Sequence, residues 1–206
     1  DLFHSVVWLI SNGINLEIEN LEKETAVFYA IRTKGTVILQ ILVENGANIN
    51  HLNIFNRTAL QEAVIRANNR IVNYLLQITR TVSNCDIYGN NLIFDAISNG
   101  NIDIIKRIAS IKEININQIN ADGNTVLHKE TVLKNNELAL LLMDFGADPT
   151  ILDKEGKSFL FYCISEGIKN ISILQKVVLL GYDINSKNGQ NKTLLITGGT
   201  GSFGTA

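Results

Sequence analysis

The residues of this 206-residue chain that could do chemistry are a glycine-rich run near its C-terminal end, three histidines and two cysteines. The run KTLLITGGTGSFG places Gly198, Gly201 and Gly204 behind an apolar stretch. A strand entering such a turn lets backbone N–H groups approach a pyrophosphate at a helix N-terminus. That chemistry also needs the helix after the glycines, an acidic residue ~20 positions on for the ribose, and parallel strands beside the first. None of these follows before Ala206. The run is therefore read as a fusion scar or truncated reading frame, and no cofactor is expected. His4, His51 and His128 have no Cys or His partner at metal-ligand spacing, so no metal is expected either. His128 is read as structural. Cys85 and Cys163 are too few for a disulfide framework and read as free thiols of a reducing compartment. No G-x-S-x-G or H-E-x-x-H motif occurs, and Gly156-Lys157-Ser158 is not a G-x-x-x-x-G-K-[ST] loop, because Ile151 stands where its first glycine would be. Without a convergent acid, base and nucleophile no reaction class can be written, and the expectation is that the chain is not an enzyme.

What remains is the chemistry of recognition. Ile54 and Phe55, then Ile87 and Tyr88, stand where polar turn residues would be ordinary. Arg57 and Arg66 flank them. An aromatic pair beside arginines is the composition of a protein-binding anchor. The alternative is that Phe55 and Tyr88 pack on each other. The net charge of −2 and pI near 5.9 give no reason to expect nucleic acid. No apolar run approaches the ~18 residues of a membrane span, and no secretory signal is visible. A cytoplasmic chain with a protein partner is expected. Isoleucine and asparagine are abundant, which is read as coding bias without functional weight.

These residues must be positioned by a repeat. Thr25, Thr58, Asn91, Thr125 and Ser158 follow one another at intervals of 33, 33, 34 and 33 residues. All five are types whose side-chain oxygen can cap a helix N-terminus. Five positions later stand Ala30, Ala63, Ala96, Glu130 and Cys163, four of them small enough for close helix packing. Each second helix carries apolar residues at i, i+1, i+4 and i+5, from Ile38, Leu39, Leu42 and Val43 to Ile173, Leu174, Val177 and Val178. Those positions share one face of a 3.6-residue helix. Gly13, Gly46, Gly146 and Gly181 then stand where a left-handed residue stops a helix. A half unit at 1–19 thus precedes full units at about 20–52, 53–85, 86–119, 120–152 and 153–187. Trp8 is expected to cover the end of the stack. A buried, unpaired Glu130 would cost several kcal/mol, so its helix is expected to shift or the carboxylate to reach solvent. Thr193 can be read as the opening of a sixth unit.

A period near 33 with paired helices and a turn resembles the ankyrin repeat. TVLHKE at Thr125 and TALQEA at Thr58 look like its T-P-L-H-x-A motif, and NGANIN and FGADPT like its terminal G-A-D-V-N. The likeness covers residues 1–191. No unit keeps the motif proline, and Thr79 and Lys112 replace the terminal glycine. The resemblance implies an all-α solenoid of helix-turn-helix units joined by hairpin loops, with His128 bonding a neighbouring hairpin. It further implies a partner protein held on the concave strip of hairpin tips and first helices. Mapped here, that strip is Ile54, Phe55, Arg57, Ile65 and Arg66; Ile87, Tyr88, Asn90, Ser98 and Asn99; Ala121, Asp122 and Asn124; and Lys154, Glu155, Lys157 and Glu166. Residues 192–206 separately resemble the first strand and glycine turn of an extended short-chain dehydrogenase. The alternative function is thus a fragment of an NAD(P)-dependent nucleotide-sugar dehydratase or epimerase fused to the repeats.

Overall fold

The computed structural model describes residues 2–165 and 171–193, and within them every side chain except those of Leu2, Glu130, Thr131 and Ser165. Gly198, Gly201, Gly204 and Glu166 therefore lie outside the described residues. The described secondary structure is helical, apart from two isolated antiparallel bridges, Leu152 with Ser158 and Lys187 with Thr193. The chain divides into two compact units, Asp1–Ile114 and Asn115–Ala206.

The first unit opens on α1 (Leu2–Ser11) and continues with three helix pairs. These are α2 (Ala26–Arg32) with α3 (Thr36–Glu44), α4 (Ala59–Ile65) with α5 (Asn69–Ile78), and α6 (Leu92–Asn99) with α7 (Ile102–Ala109). The first helices stack in sequence, α4 against both α2 and α6. Ala30, Ala63 and Ala96 are all buried at these contacts. A larger side chain there would hold the backbones apart. Phe28, Ile31, Leu39, Ile71, Leu75, Ile93, Phe94 and Ile105 are fully buried around them, each worth roughly 1.5–3 kcal/mol of transfer free energy.

The second unit contains a 3-10 turn at Val126–His128, α8 (Glu130–Leu133), α9 (Asn136–Asp144), α10 (Phe159–Ser165) and α11 (Ile171–Leu179). Here the expectation of a uniform first helix fails. Lys129 is extended (φ −65°, ψ 137°) and separates the 3-10 turn from α8. The break falls immediately before Glu130, where the first three units have buried alanine. The disruption of that helix is thus seen in the backbone, while the placement of the Glu130 side chain lies outside the described residues.

The terminal glycines behave as their spacing implied. Gly46 and Gly146 have φ of +89° and +91°, a conformation costly to any residue with a Cβ. Where threonine replaces glycine the chain leaves the helix differently: α5 ends on Thr79 in extended backbone (φ −77°, ψ 130°).

Asparagine carries more than composition suggested. Asn20, Asn53, Asp86, Asn120, Asp153 and Asn188 each use one side-chain oxygen to accept the N–H groups two and four residues on, at 2.9–3.1 Å. Such a turn folds the hairpin tip without a strand. All six lie five residues before the unit's capping position, Thr193 included. Asn68, Asn101 and Asn135 lie ten residues after it and cap α5, α7 and α9. Reading asparagine as coding bias is corrected by these turns and caps.

Candidate protein-binding face

The hairpin tips are built by those Asx turns and tied to each other. The Ile54 N–H donates to the Glu22 carbonyl at 2.9 Å, and the Ile87 N–H to the Phe55 carbonyl at 3.0 Å. Three successive tips in Asp1–Ile114 are therefore fixed side by side. Their outermost residues are Leu21, 100% exposed, Ile54, 51%, and Ile87, 54%. Phe55 (38%) and Tyr88 (49%) follow one position on. No ring contact joins Phe55 to Tyr88 among the described residues. The Arg57 guanidinium sits 5.4 Å from the Phe55 centroid instead. Leu21 was not among the sequence candidates, because its hairpin, NLEKE, reads as acidic. Its position four residues before Thr25, matching Ile54 before Thr58 and Ile87 before Asn91, is the signal that would have found it.

The arginines are engaged within the chain. Arg57 Nη2 lies 2.9 Å from Asp86 Oδ2 and its Nε 3.3 Å from the same oxygen. Asp86 is buried and its other oxygen holds the next hairpin turn. One carboxylate thus couples two hairpins. Arg66 Nε pairs with Glu62 Oε1 at 2.6 Å. Glu62 is buried and also stands 3.8 Å from Arg32 Nε, and Arg32 in turn pairs with Glu22 and Glu24. The Arg32 guanidinium is held above its ordinary pKa, chiefly by the hydrogen bond to Glu22. Ser98 Oγ donates to the Phe94 carbonyl at 3.0 Å and Asn99 Nδ2 to the Val64 carbonyl at 2.5 Å. Ile65 is exposed on the same helices, and the Asn90 N–H belongs to the Asp86 turn.

In Asn115–Ala206 the candidates form a polar cluster. Lys154 Nζ donates to the Ala121 carbonyl, and Lys157 Nζ pairs with Glu155 at 2.6 Å. Asp122 and Asn124 donate their N–H groups to Asn120. Tyr162 donates its hydroxyl to Asp153 Oδ2 at 2.6 Å, and burial together with that bond holds the phenol well above its ordinary pKa. Beside it, His128 Nδ1 accepts from the Thr125 N–H at 3.2 Å, and Nε2 lies 3.2 Å from the Lys157 carbonyl. One neutral tautomer, protonated at Nε2, satisfies both contacts. Burial lowers the His128 pKa, and the Asp153 carboxylate only partly opposes it. His128 is thus a structural clasp between neighbouring hairpins. The Cys163 thiol is buried at its packing position and pushed up to about 12 by desolvation.

The family model for ankyrin repeats matches residues 2–91 and 93–188. This chain belongs to the ankyrin-repeat family. It is an all-α solenoid of repeats. The ankyrin repeat domain of Bcl-3 superposes with a TM-score of 0.77 at 21% identity, covering 94% of this chain and 86% of that one. The ankyrin repeat protein EF0377 does so at 0.72 and 23%, covering 89% and 93%. Among curated relatives, the Notch-regulated ankyrin repeat-containing protein A of Danio rerio is 37% identical over 59 residues, 29% of this chain and 53% of its own. The Xenopus tropicalis protein of that name is 32% identical over 75 residues, 36% of this chain and 65% of its own. The chain thus spans about half to two thirds of the length of these relatives. Nothing in the comparisons supports the dehydrogenase resemblance of residues 192–206. Ankyrin repeats are a general protein–protein interaction module. No helix among the described residues is long and apolar enough to cross a membrane.

Proposed function

We propose that this chain is a protein-binding scaffold whose partner seats on the hairpin tips of Asp1–Ile114, with Phe55 and Tyr88 as anchors and Ile54 and Ile87 beside them. The observation that carries this reading is the exposure of these four apolar side chains on tips fixed by Asx turns and inter-hairpin backbone bonds. Rigid apolar side chains lose little entropy on binding. Arg57 acts through the Phe55 ring and the Asp86 turn, positioning the anchor. Arg66 is held by Glu62 at the rim, with Ile65, Ser98 and Asn99 along the adjoining helices and Asn90 behind the tip of Tyr88. Ala121, Asp122, Asn124, Lys154, Glu155 and Lys157 form the polar flank of the remaining repeats, where contacts tune specificity more than affinity.

Replacing Phe55 and Tyr88 together with alanine tests the assignment. Affinity capture with the native chain and the double variant, read by mass spectrometry, should lose a defined set of proteins from the variant. Its melting temperature should stay within about 3 °C, as expected of surface substitutions. A clear drop in melting temperature with an unchanged set of captured proteins would overturn it.

A further inference from the structure

Trp8, expected to cover the end of the stack, is 64% exposed, so exposed apolar surface is not confined to the hairpin tips. What sets the tips apart is that backbone bonds fix their spacing. Each of the first three is the same four-residue turn. Lys23, Asn56 and Gly89 donate their N–H groups to the carbonyls of Asn20, Asn53 and Asp86 at 2.9–3.0 Å, and all three have φ between +55° and +72°. The central pairs of these turns are Leu21 and Glu22, Ile54 and Phe55, and Ile87 and Tyr88. The carbonyl of the second residue accepts from the first residue of the next pair, Glu22 from Ile54 and Phe55 from Ile87. The six residues therefore form one row in that order. Neighbours within a turn are ~3.8 Å apart, and one hydrogen-bonded step between adjacent tips adds about 5 Å. The row thus repeats every ~9–10 Å and offers two residues per repeat.

A partner segment has to meet that period. An extended strand turns alternate residues away and presents one every ~6.6 Å, so it falls out of step within one tip. A polyproline II segment advances ~9.3 Å per turn but offers only one residue per tip. An α-helix advances ~10.5 Å in seven residues, and its seam offers two residues in that length, at alternating intervals of three and four. Inclined about 20° to the row, it projects onto about 10 Å.

Charge completes the pattern. Five of the six row residues are apolar, and the sixth is Glu22. Its carboxylate lies 3.0 Å from Arg32 Nη2, and half of its side chain is exposed. Glu22, Glu24 and Glu62 share only the guanidinium groups of Arg32 and Arg66, which leaves one negative charge in excess. Glu24 and Glu62 are buried, so a cation arriving from outside meets Glu22. Lys23 beside it is offset by Glu19 at the foot of the same hairpin.

We infer that the partner of these tips presents an amphipathic α-helix. Its seam is apolar over Ile54, Phe55, Ile87 and Tyr88 and carries a lysine or arginine over Glu22. This rests on the tips being the binding face, as proposed above.

The probe is a library of random peptides of about 18 residues, long enough to cross three tips as a helix, displayed on phage and selected on the 206-residue chain. The enriched sequences should carry apolar residues at three- and four-residue intervals, with a basic residue at one end of the seam. A synthetic copy should gain helical circular dichroism on binding. Ile54→Asp and Ile87→Asp should each weaken it at least tenfold. Glu22→Lys should weaken it roughly fivefold, and exchanging the peptide's basic residue for glutamate should restore binding to that variant. Enriched peptides with apolar residues at every second or third position that still depend on Ile54 and Ile87 overturn the helix and leave the tips as the binding face. Peptides indifferent to those two substitutions overturn both. A helical peptide indifferent to Glu22→Lys overturns the basic residue assigned to its seam. No enrichment at all overturns the helix, and the capture experiment with the Phe55 and Tyr88 double variant then judges the tips separately.

Discussion

At the scale of single residues, the value of an N-capping hydroxyl here depends on the residue three positions later. Thr58 is followed by Gln61 and Thr125 by His128, and both form reciprocal bonds; the Gln61 N–H lies 3.3 Å from Thr58 Oγ1 and the Thr58 N–H 3.2 Å from Gln61 Oε1. Thr25 and Ser158 are followed by Phe28 and Phe161, and their buried hydroxyls have no hydrogen-bond partner. Thr58→Val should therefore cost about 1 kcal/mol. Thr25→Val should be neutral or stabilising by up to about 1 kcal/mol, because it removes an unsatisfied buried group. Urea unfolding of the two variants gives the comparison. His128 adds a pH dependence. Its folded pKa lies below the ordinary 6.5 because burial disfavours the cation. Its contribution is fully present above about pH 6.5 and declines as the pH falls through that value, since the unfolded chain then takes up the proton first. His128→Gln, which restores the side chain found at position 61, should flatten the stability difference between pH 7.5 and pH 5.5. An unchanged slope in that variant would assign the dependence to another group.

At the scale of elements, the hairpins show what pattern alone reveals and what it omits. The helix starts, the apolar stripes and the terminal glycines were legible because helix period and helix stops are local properties of sequence, whereas the side-chain cap expected of all five starting residues fails at Thr25 and Asn91. The break at Lys129 was foreshadowed by Glu130 standing where the first three units have buried alanine. The inter-hairpin bonds were not legible, because Arg57 reaches Asp86 across 29 positions and nothing local marks that pairing. So a residue read as a partner contact turns out to hold the fold as well. Arg57→Ala should cost about 2–3 kcal/mol, less than breaking a fully buried pair because the guanidinium is partly in water. Adding Asp86→Asn should recover part of that loss, since asparagine forms the same turn at positions 20, 53 and 120; a double-mutant cycle measures the coupling. Helix exits offer the opposite case. Ala67 follows α4 at φ +55°, where Gly100 follows α6 at +78°. Ala67→Gly should raise stability by about 1 kcal/mol, relieving a left-handed residue with a Cβ, read as a melting temperature higher by a few degrees.

At the scale of the whole molecule, the residues four positions before each capping site change character along the chain. Leu21, Ile54 and Ile87 are large and apolar; Ala121, Lys154 and Gly189 are small or charged. The large apolar residues at this position therefore belong to Asp1–Ile114, and the small or charged ones to Asn115–Ala206. A partner drawn by desolvation should engage the former, because an apolar contact gains free energy in proportion to the area removed from water. Charges at the latter would act mainly on association rate and its salt dependence. Leu21 is the sharpest probe, since it is fully exposed and its replacement removes no contact inside the chain. Leu21→Asp should weaken capture of the partner at least tenfold while leaving the melting temperature unchanged. Lys154→Glu should change affinity less than threefold and alter its dependence on salt. The reverse pattern, with Lys154→Glu abolishing capture and Leu21→Asp without effect, would move the binding face to the second unit and remove Phe55 and Tyr88 from it.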